Sequence, residues 1–241
     1  MLKLPGRPRT KRGTVLAIGG SLVVFAVVAL ALVYFLLFPT SSPKPFSLTS
    51  AKAATPASSG TKLTGRWTVA TGSQAGYRVR EKLGFLPAQS DAVGRTSTIT
   101  GEATVIESGG AVTVRTASFT VAVNTLKSDR SMRDQRIHTI GLQSNLYPKA
   151  TFVLSSPLTL PANALTGHVV HVSAIGVFDI HGTSKRETVL LQMSVSDSAI
   201  EAAGSLTFPW SEFKMTAPSV GGFVNVTNKA TMEFDLHLQR P

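Results

Sequence analysis

Met232-Glu233-Phe234-Asp235-Leu236-His237-Leu238-Gln239 decides the fold of this chain. Apolar and polar residues alternate strictly along it, the signature of an extended strand with one buried and one polar face. Working back, Val189, Leu191, Met193 and Val195 form a second apolar face, opposed by Thr188, Gln192 and Ser194. Phe119, Val121 and Val123 alternate with Ser118, Thr120 and Ala122, and Tyr77 and Val79 alternate with Arg78 and Arg80. Gly109-Gly110, Pro157, Pro161, Gly182, Gly204 and Gly221-Gly222 punctuate these runs as turns. No strand–helix–strand rhythm occurs, so the sheet is expected to be antiparallel. About eight strands fit, and a barrel of that number encloses side chains or one small ligand. The expectation is a mostly-β, extended antiparallel barrel.

One stretch breaks the alternation. Ser128–Gln143 is dense in charge, and Ser131 with Asp134 fits a capping box opening a short helix. Ile137 and Ile140 would share a face of that helix, which is expected to lie between two strands and cover one end of the barrel. Lys127, Arg130, Arg133 and Arg136 make this stretch basic. A solvated helix face and an anion-binding cluster both fit that pattern.

Upstream of the β pattern the composition changes twice. Residues 1–13 carry Lys3, Arg7, Arg9, Lys11 and Arg12 and no acid. The twenty-five residues Thr14–Phe38 contain no charged residue. As a helix they would be ~37 Å long, enough to cross a hydrocarbon core of ~30 Å. The basic flank predicts a cytoplasmic tail at 1–13, one transmembrane signal-anchor helix at 14–38 and an extracytoplasmic C-terminal domain at the cell membrane. A cleaved signal peptide has a shorter apolar run followed closely by small residues. Here the run ends in Tyr34, Phe35, Leu36, Leu37 and Phe38, and the nearest Ala-x-Ala is Ala51-Lys52-Ala53. Residues 39–64, rich in Pro, Ser, Thr and Ala, read as a linker, and 65–241 as the folded domain.

Charge and motifs exclude more than they assign. The net charge of +11 invites a nucleic-acid reading, but five of the 24 basic residues lie in the tail. The rest of the chain is left with a modest +6 spread over many strands, so no nucleic-acid partner is expected. The absence of cysteine excludes disulfides, thiolate catalysis and a lipidated N-terminal cysteine. No nucleophile elbow, phosphate loop or His-Glu-x-x-His occurs. His168 and His171 fall on opposite strand faces and make a poor metal pair. Asp179 and His181 share a face, as an acid–base or ligand pair would, but a strand-end Asp with a His before the Gly182 turn is the simpler account. Asn225-Val226-Thr227 matches a glycosylation sequon by chance spacing. No metal, cofactor or catalytic residue is expected.

The order of local patterns resembles the YceI-like, or polyisoprenoid-binding, domains. The pieces are Trp67-Thr68-Val69 with Ser73 and Tyr77-Arg78-Val79-Arg80; Val93-Gly94-Arg95 and Ile99-Thr100-Gly101; and Phe119-Thr120-Val121 with Leu126, Ser128-Asp129 and Arg133-Asp134. They continue through Leu142, Tyr147-Pro148, Thr151-Phe152 and Gly176–Lys185, to Phe208-Pro209-Trp210-Ser211-Glu212-Phe213 and Pro218-Ser219. Glu81 stands where many relatives carry His. The resemblance implies a lipocalin-like barrel whose apolar tunnel holds a long-chain isoprenoid or other amphiphile, with no enzymatic activity.

Together these readings predict a membrane-anchored, extracytoplasmic lipid-binding protein. The alternative is an envelope interaction module whose barrel is filled by its own side chains, and cavity volume separates the two. Strand parity turns Tyr77, Val79, Phe119, Val121, Phe152 and Phe178 inward, while the charged residues between Arg78 and Lys82 face water. Trp210, Phe213 and Met215 follow the Pro209 break and close one end. The ligand's polar head is expected near the helix, within reach of Arg130, Arg133 and Arg136.

Overall fold

The computed structural model describes residues 25–29, 42–48, 63–83, 89–219 and 224–241. The chain divides into two compact units, Met1–Ser42 and Pro43–Pro241. In the first, residues 25–29 are helical with Phe25 exposed. The remainder of the apolar run, and the whole basic tail, lie outside the described residues. No described helix is long and apolar enough to cross a membrane.

The second unit is built from β1 (Gly65–Val69), β2 (Gln74–Leu83), β3 (Gln89–Thr96), β4 (Ile99–Ser108), β5 (Ala111–Ala122), α1 (Ser131–Arg136), β6 (Lys149–Leu154), β7 (Leu158–Leu160), β8 (Val170–Ile180), β9 (Thr183–Val195), β10 (Ile200–Pro209) and β11 (Val224–Gln239). All described strand pairings are antiparallel. The order β1-β4-β5-β6-β8-β9-β10-β11 returns to β1 through Thr68↔Gln239 and Val69↔Leu238, closing an eight-stranded barrel. The β2–β3 hairpin is added along β11, and β7 along β5. Closure joins the first and last strands of the eight-stranded order, which an open sheet would leave as edges; the outer side of the added β3 meets the described residues through the Arg95↔Lys127 bridge. The inward side chains merge into one apolar core that includes Trp67, Val105, Val189, Val195 and Phe213, all essentially inaccessible.

The predicted helix exists, with a different start. Arg130 occupies the N-cap and no side chain caps the helix. Asp134 instead accepts from the Ser128 backbone N–H at 2.8 Å and the Ser128 hydroxyl at 2.6 Å, so it fastens the approach to the helix rather than its first turn. After one and a half turns α1 widens into a π turn, Ile137–Gly141. That change of pitch separates Ile137 and Ile140. Ile137 is buried in the core, and Leu142 takes the second apolar position beside it.

Part of the stretch read as a linker is packed on the barrel. Leu63 is buried, and the Trp67 indole N–H donates to its carbonyl at 3.0 Å. Pro43–Leu48 crosses the outside of the wall. Arg78 donates to the Pro43 carbonyl at 2.7 Å, Arg95 to the Lys44 carbonyl at 2.5 Å, and the Leu48 N–H donates to Gln192 at 2.8 Å. The Arg95 guanidinium also lies 3.8 Å from the centre of the Phe46 ring. The physical reason is local. Pro43 and Pro45 preset an extended backbone whose carbonyls are open, and two outward arginines supply donors. Residues 39–41 and 49–62 of the linker lie outside the described residues.

Those arginines also explain a buried acid. Glu233 points outward from β11 yet is only 2% exposed. It accepts from Arg78 at 3.1 Å and from Arg95 at 2.8 Å, while Arg78 also pairs with Asp91 at 3.1 Å. A carboxylate held by two guanidiniums tolerates burial that an unpaired one would not.

Candidate functional site

The barrel encloses an apolar cavity that runs between its two ends. Ile200, Leu236 and Leu238 line it towards one end, and Ile137, Leu142, Trp210 and Met215 towards the other. Between them it is walled by Tyr77, Phe119, Val121, Phe152, Phe178 and Phe234, and among the described residues the threonines Thr151 and Thr231 are the only other polar residues on it besides Tyr77. Its volume is about 160 Å³, below the ~300–1,000 Å³ of typical small-molecule sites. Met193, Met215 and Met232 stand on the wall, and unbranched thioethers yield to a guest more readily than branched side chains.

The aromatic rings lie flat against the wall because glycines stand beneath them. A Cβ at Gly94 would lie 2.3 Å from the Tyr77 ring, one at Gly101 2.6 Å from Phe119, one at Gly176 2.0 Å from Phe152, and one at Gly204 2.8 Å from Phe234. Three of these are direct cross-strand pairs: Tyr77↔Gly94, Phe119↔Gly101 and Phe234↔Gly204. A ring folded over a glycine fills the gap left by the missing side chain. The repeated glycine-for-aromatic exchange is therefore what makes a lined cavity out of a chain with many large side chains.

The predicted lining residues divide. Tyr77, Phe119, Val121, Phe152, Phe178, Trp210 and Met215 reach the cavity. Val79 and Phe213 are buried in the surrounding core instead, Phe213 edge-on to Phe208 at 4.7 Å between ring centres. Sequence reasoning missed Phe234, Leu236 and Leu238, although their alternation was the clearest in the chain. It treated that run as evidence for the fold and not for a site.

The helix end of the barrel is polar in one layer. Glu81 shares the inward parity of Tyr77 and Val79 and is buried, which corrects the expectation that the charges of this strand face water. The cause is Arg133, which donates to Glu81 at 2.6 Å and closely to Asp129. Burial opposes the charge on Arg133, but these two carboxylates hold its guanidinium above its usual value. Of the three predicted head-group arginines, only Arg133 turns toward the barrel in this way. Arg130 lies 3.7 Å from Asp129, and Arg136 is exposed. Tyr77 ends in this layer, and burial pushes its phenol well above the ordinary value. Asp179 accepts from Ser184 at 2.7 Å, and His181, at the positive φ of 55°, meets Gln143 at 2.8 Å. They form no acid–base pair. No group of three metal-ligating side chains occurs among the described residues.

Residues 67–238 match the YceI-like domain family. The chain belongs to that family. No curated protein matches it. Among solved structures, this YceI-like chain resembles a polyisoprenoid binding domain from Saccharophagus degradans implicated in plant cell wall breakdown, at 15% identity and a TM-score of 0.52, covering 74% of this chain and 99% of that one. It also matches Burkholderia cenocepacia BcnA at 18% identity and TM-score 0.49, over 68% of this chain and 95% of that one. Campylobacter jejuni YceI matches at 12% identity and TM-score 0.44, over 83% and 99%. The first of these likenesses supports the barrel fold.

Proposed function

We propose that this YceI-like protein binds a long-chain amphiphile of isoprenoid type in its barrel, outside the cytoplasm, while residues 14–38 hold it in the membrane. We read it as a binding protein rather than an enzyme. The observation that carries the reading is the end-to-end apolar cavity, walled by aromatic rings folded over glycines and almost free of polar groups. Each buried methylene of a guest contributes ~0.8 kcal/mol, so such a wall binds a chain tightly without a charged contact. The solved relative described as a polyisoprenoid binding domain points to the same ligand class. Arg130, Arg133 and Arg136 remain the groups for a phosphorylated head, with Arg133 bound to its carboxylates until a guest competes for it.

The small empty volume favours a second reading, a barrel filled by its own side chains that serves as an interaction module. Organic extraction and native mass spectrometry of the full chain in detergent separate the two. A co-purifying long-chain lipid, or saturable uptake of a C40–C55 isoprenol, is expected. A chain that stays empty and takes up no isoprenol is the filled module. For the topology, protease added to intact cells is expected to digest the barrel and spare a reporter fused before Lys3. The opposite protection would overturn it.

A further inference from the structure

We propose that the barrel end closed by Lys127–Tyr147 rests on an anionic lipid surface and is where the guest passes between bilayer and cavity. The proposal builds on the lipid-binding reading above. The inner side of this segment belongs to the cavity, through Ile137 and Leu142. Its outer side exposes large apolar side chains: Met132 and Leu146 are each 72% exposed, and Tyr147 is about one-third exposed while its ring packs 4.3 Å from His181. Leu146 and Tyr147 adjoin in sequence, and Met132 lies on the same segment; contiguous exposed apolar groups mark interaction surfaces.

The exposed charges around them are mostly basic, with Asp129 the exposed acid among them. Lys127, Arg136 and Lys149 are exposed. The acids nearby are paired, Asp129 and Glu81 of β2 holding Arg133 and Asp134 holding Ser128. Exposed apolar groups among basic ones are the composition of surfaces that settle into the headgroup region of anionic bilayers.

The wall beneath is also discontinuous here among the described residues. On its side away from β2, β3 is bonded among the described residues only at Arg95↔Lys127. Beyond that bridge the seam is held by side chains, Thr96 with Thr125 at 2.6 Å and Glu81 with Arg133. A segment fastened by side chains moves aside with less disruption than a strand in a ladder. Entry from a surface touching Leu146 is therefore the shortest route to Ile137 and Leu142.

The lack of cysteine makes the test direct. Full-length Met132→Cys, Leu146→Cys and Val177→Cys chains, each labelled with an environment-sensitive fluorophore, are mixed with vesicles of phosphatidylcholine and phosphatidylglycerol carrying a spin-labelled lipid. Val177 is the reference, an exposed position on the side wall at β8. Quenching at 132 and 146 at least threefold greater than at 177 is expected. Equal quenching at all three positions, or none at 132 and 146, overturns the proposal; the second result is also what a protein partner for this face predicts. The Lys127→Glu/Lys149→Glu chain is expected to take up isoprenol ~10-fold more slowly from anionic vesicles, with uptake from detergent micelles unchanged. Equal rates for this chain and the wild type from anionic vesicles also overturn it. Failure of the wild type to take up isoprenol from micelles would refute the lipid-binding reading instead, and the quenching would still decide whether this face meets the bilayer.

Discussion

Among the described residues the buried Tyr77 hydroxyl finds no well-formed hydrogen bond, although Ser128, Arg133 and Asp134 lie near enough to influence it. A buried donor left unpaired costs ~1–3 kcal/mol. Tyr77→Phe is therefore expected to leave the melting temperature unchanged or raise it. A fall of several degrees would show that the hydroxyl has a partner in solution. Glu187 presents the opposite case, an acid with a like neighbour. Its partial burial and its hydrogen bond with Glu212 hold its carboxyl above the usual range. Because the folded state then favours the protonated form, that contribution is present below the ordinary carboxylate range and lost as pH rises through the raised value. Glu212→Gln removes the repulsion. The variant is expected to melt higher than the wild type at about pH 7 and alike at about pH 3, as followed by circular dichroism. An equal difference at both pH values would assign the effect to packing.

At the scale of elements, the contact between β2 and α1 depends on Glu81 and Arg133, whose side chains are almost wholly covered. Arg133→Gln strands the buried carboxylate, and removing one member of such a pair costs ~3–5 kcal/mol. Denaturant unfolding is expected to show that loss, with the Glu81→Gln/Arg133→Gln chain recovering much of it. Full loss in the double variant would mean the pair is incidental. Gly176 is the matching test on the sheet. An added methyl would lie 2.0 Å from the Phe152 ring, so Gly176→Ala is expected to push the ring toward the axis. That should reduce isoprenol uptake several-fold at a stability cost of ~1–3 kcal/mol; unchanged uptake would show the ring has room elsewhere. The strands themselves were legible from alternation, because each has one wet face. Glu81 was not, because parity in a sequence says where a side chain points but not which partner from another element arrives to meet it. The same limit applies to Val79 and Phe213: period-two counting turns a residue inward and is silent on whether it reaches the axis. Glycine was the missed signal, since Gly94, Gly101 and Gly204 pair with rings only once the register is known.

For the whole molecule, the lesson lies in Pro43–Leu48. Proline, serine and alanine composition reports that a stretch cannot build its own core, and so it read as linker throughout. It does not report that a ready-made surface of arginines exists elsewhere to receive it. A chain starting at residue 43 is expected to be ~1–3 kcal/mol more stable than one starting at residue 63, through its additional hydrogen bonds and ring contact, and so to unfold at a higher denaturant concentration. Equal midpoints would show that the segment adds nothing in solution. Fastening at Leu48 and again at Leu63 has a further effect on which changes of length the protein can absorb. Residues 49–62 join two points that are both already attached to the barrel, so they set no distance between the barrel and anything upstream. Doubling a loop of this kind costs only ~0.6 kcal/mol. On the proposed reading that residues 14–38 anchor the chain, insertions in 49–62 leave the barrel's reach from that anchor unchanged, whereas insertions just before Pro43 extend it.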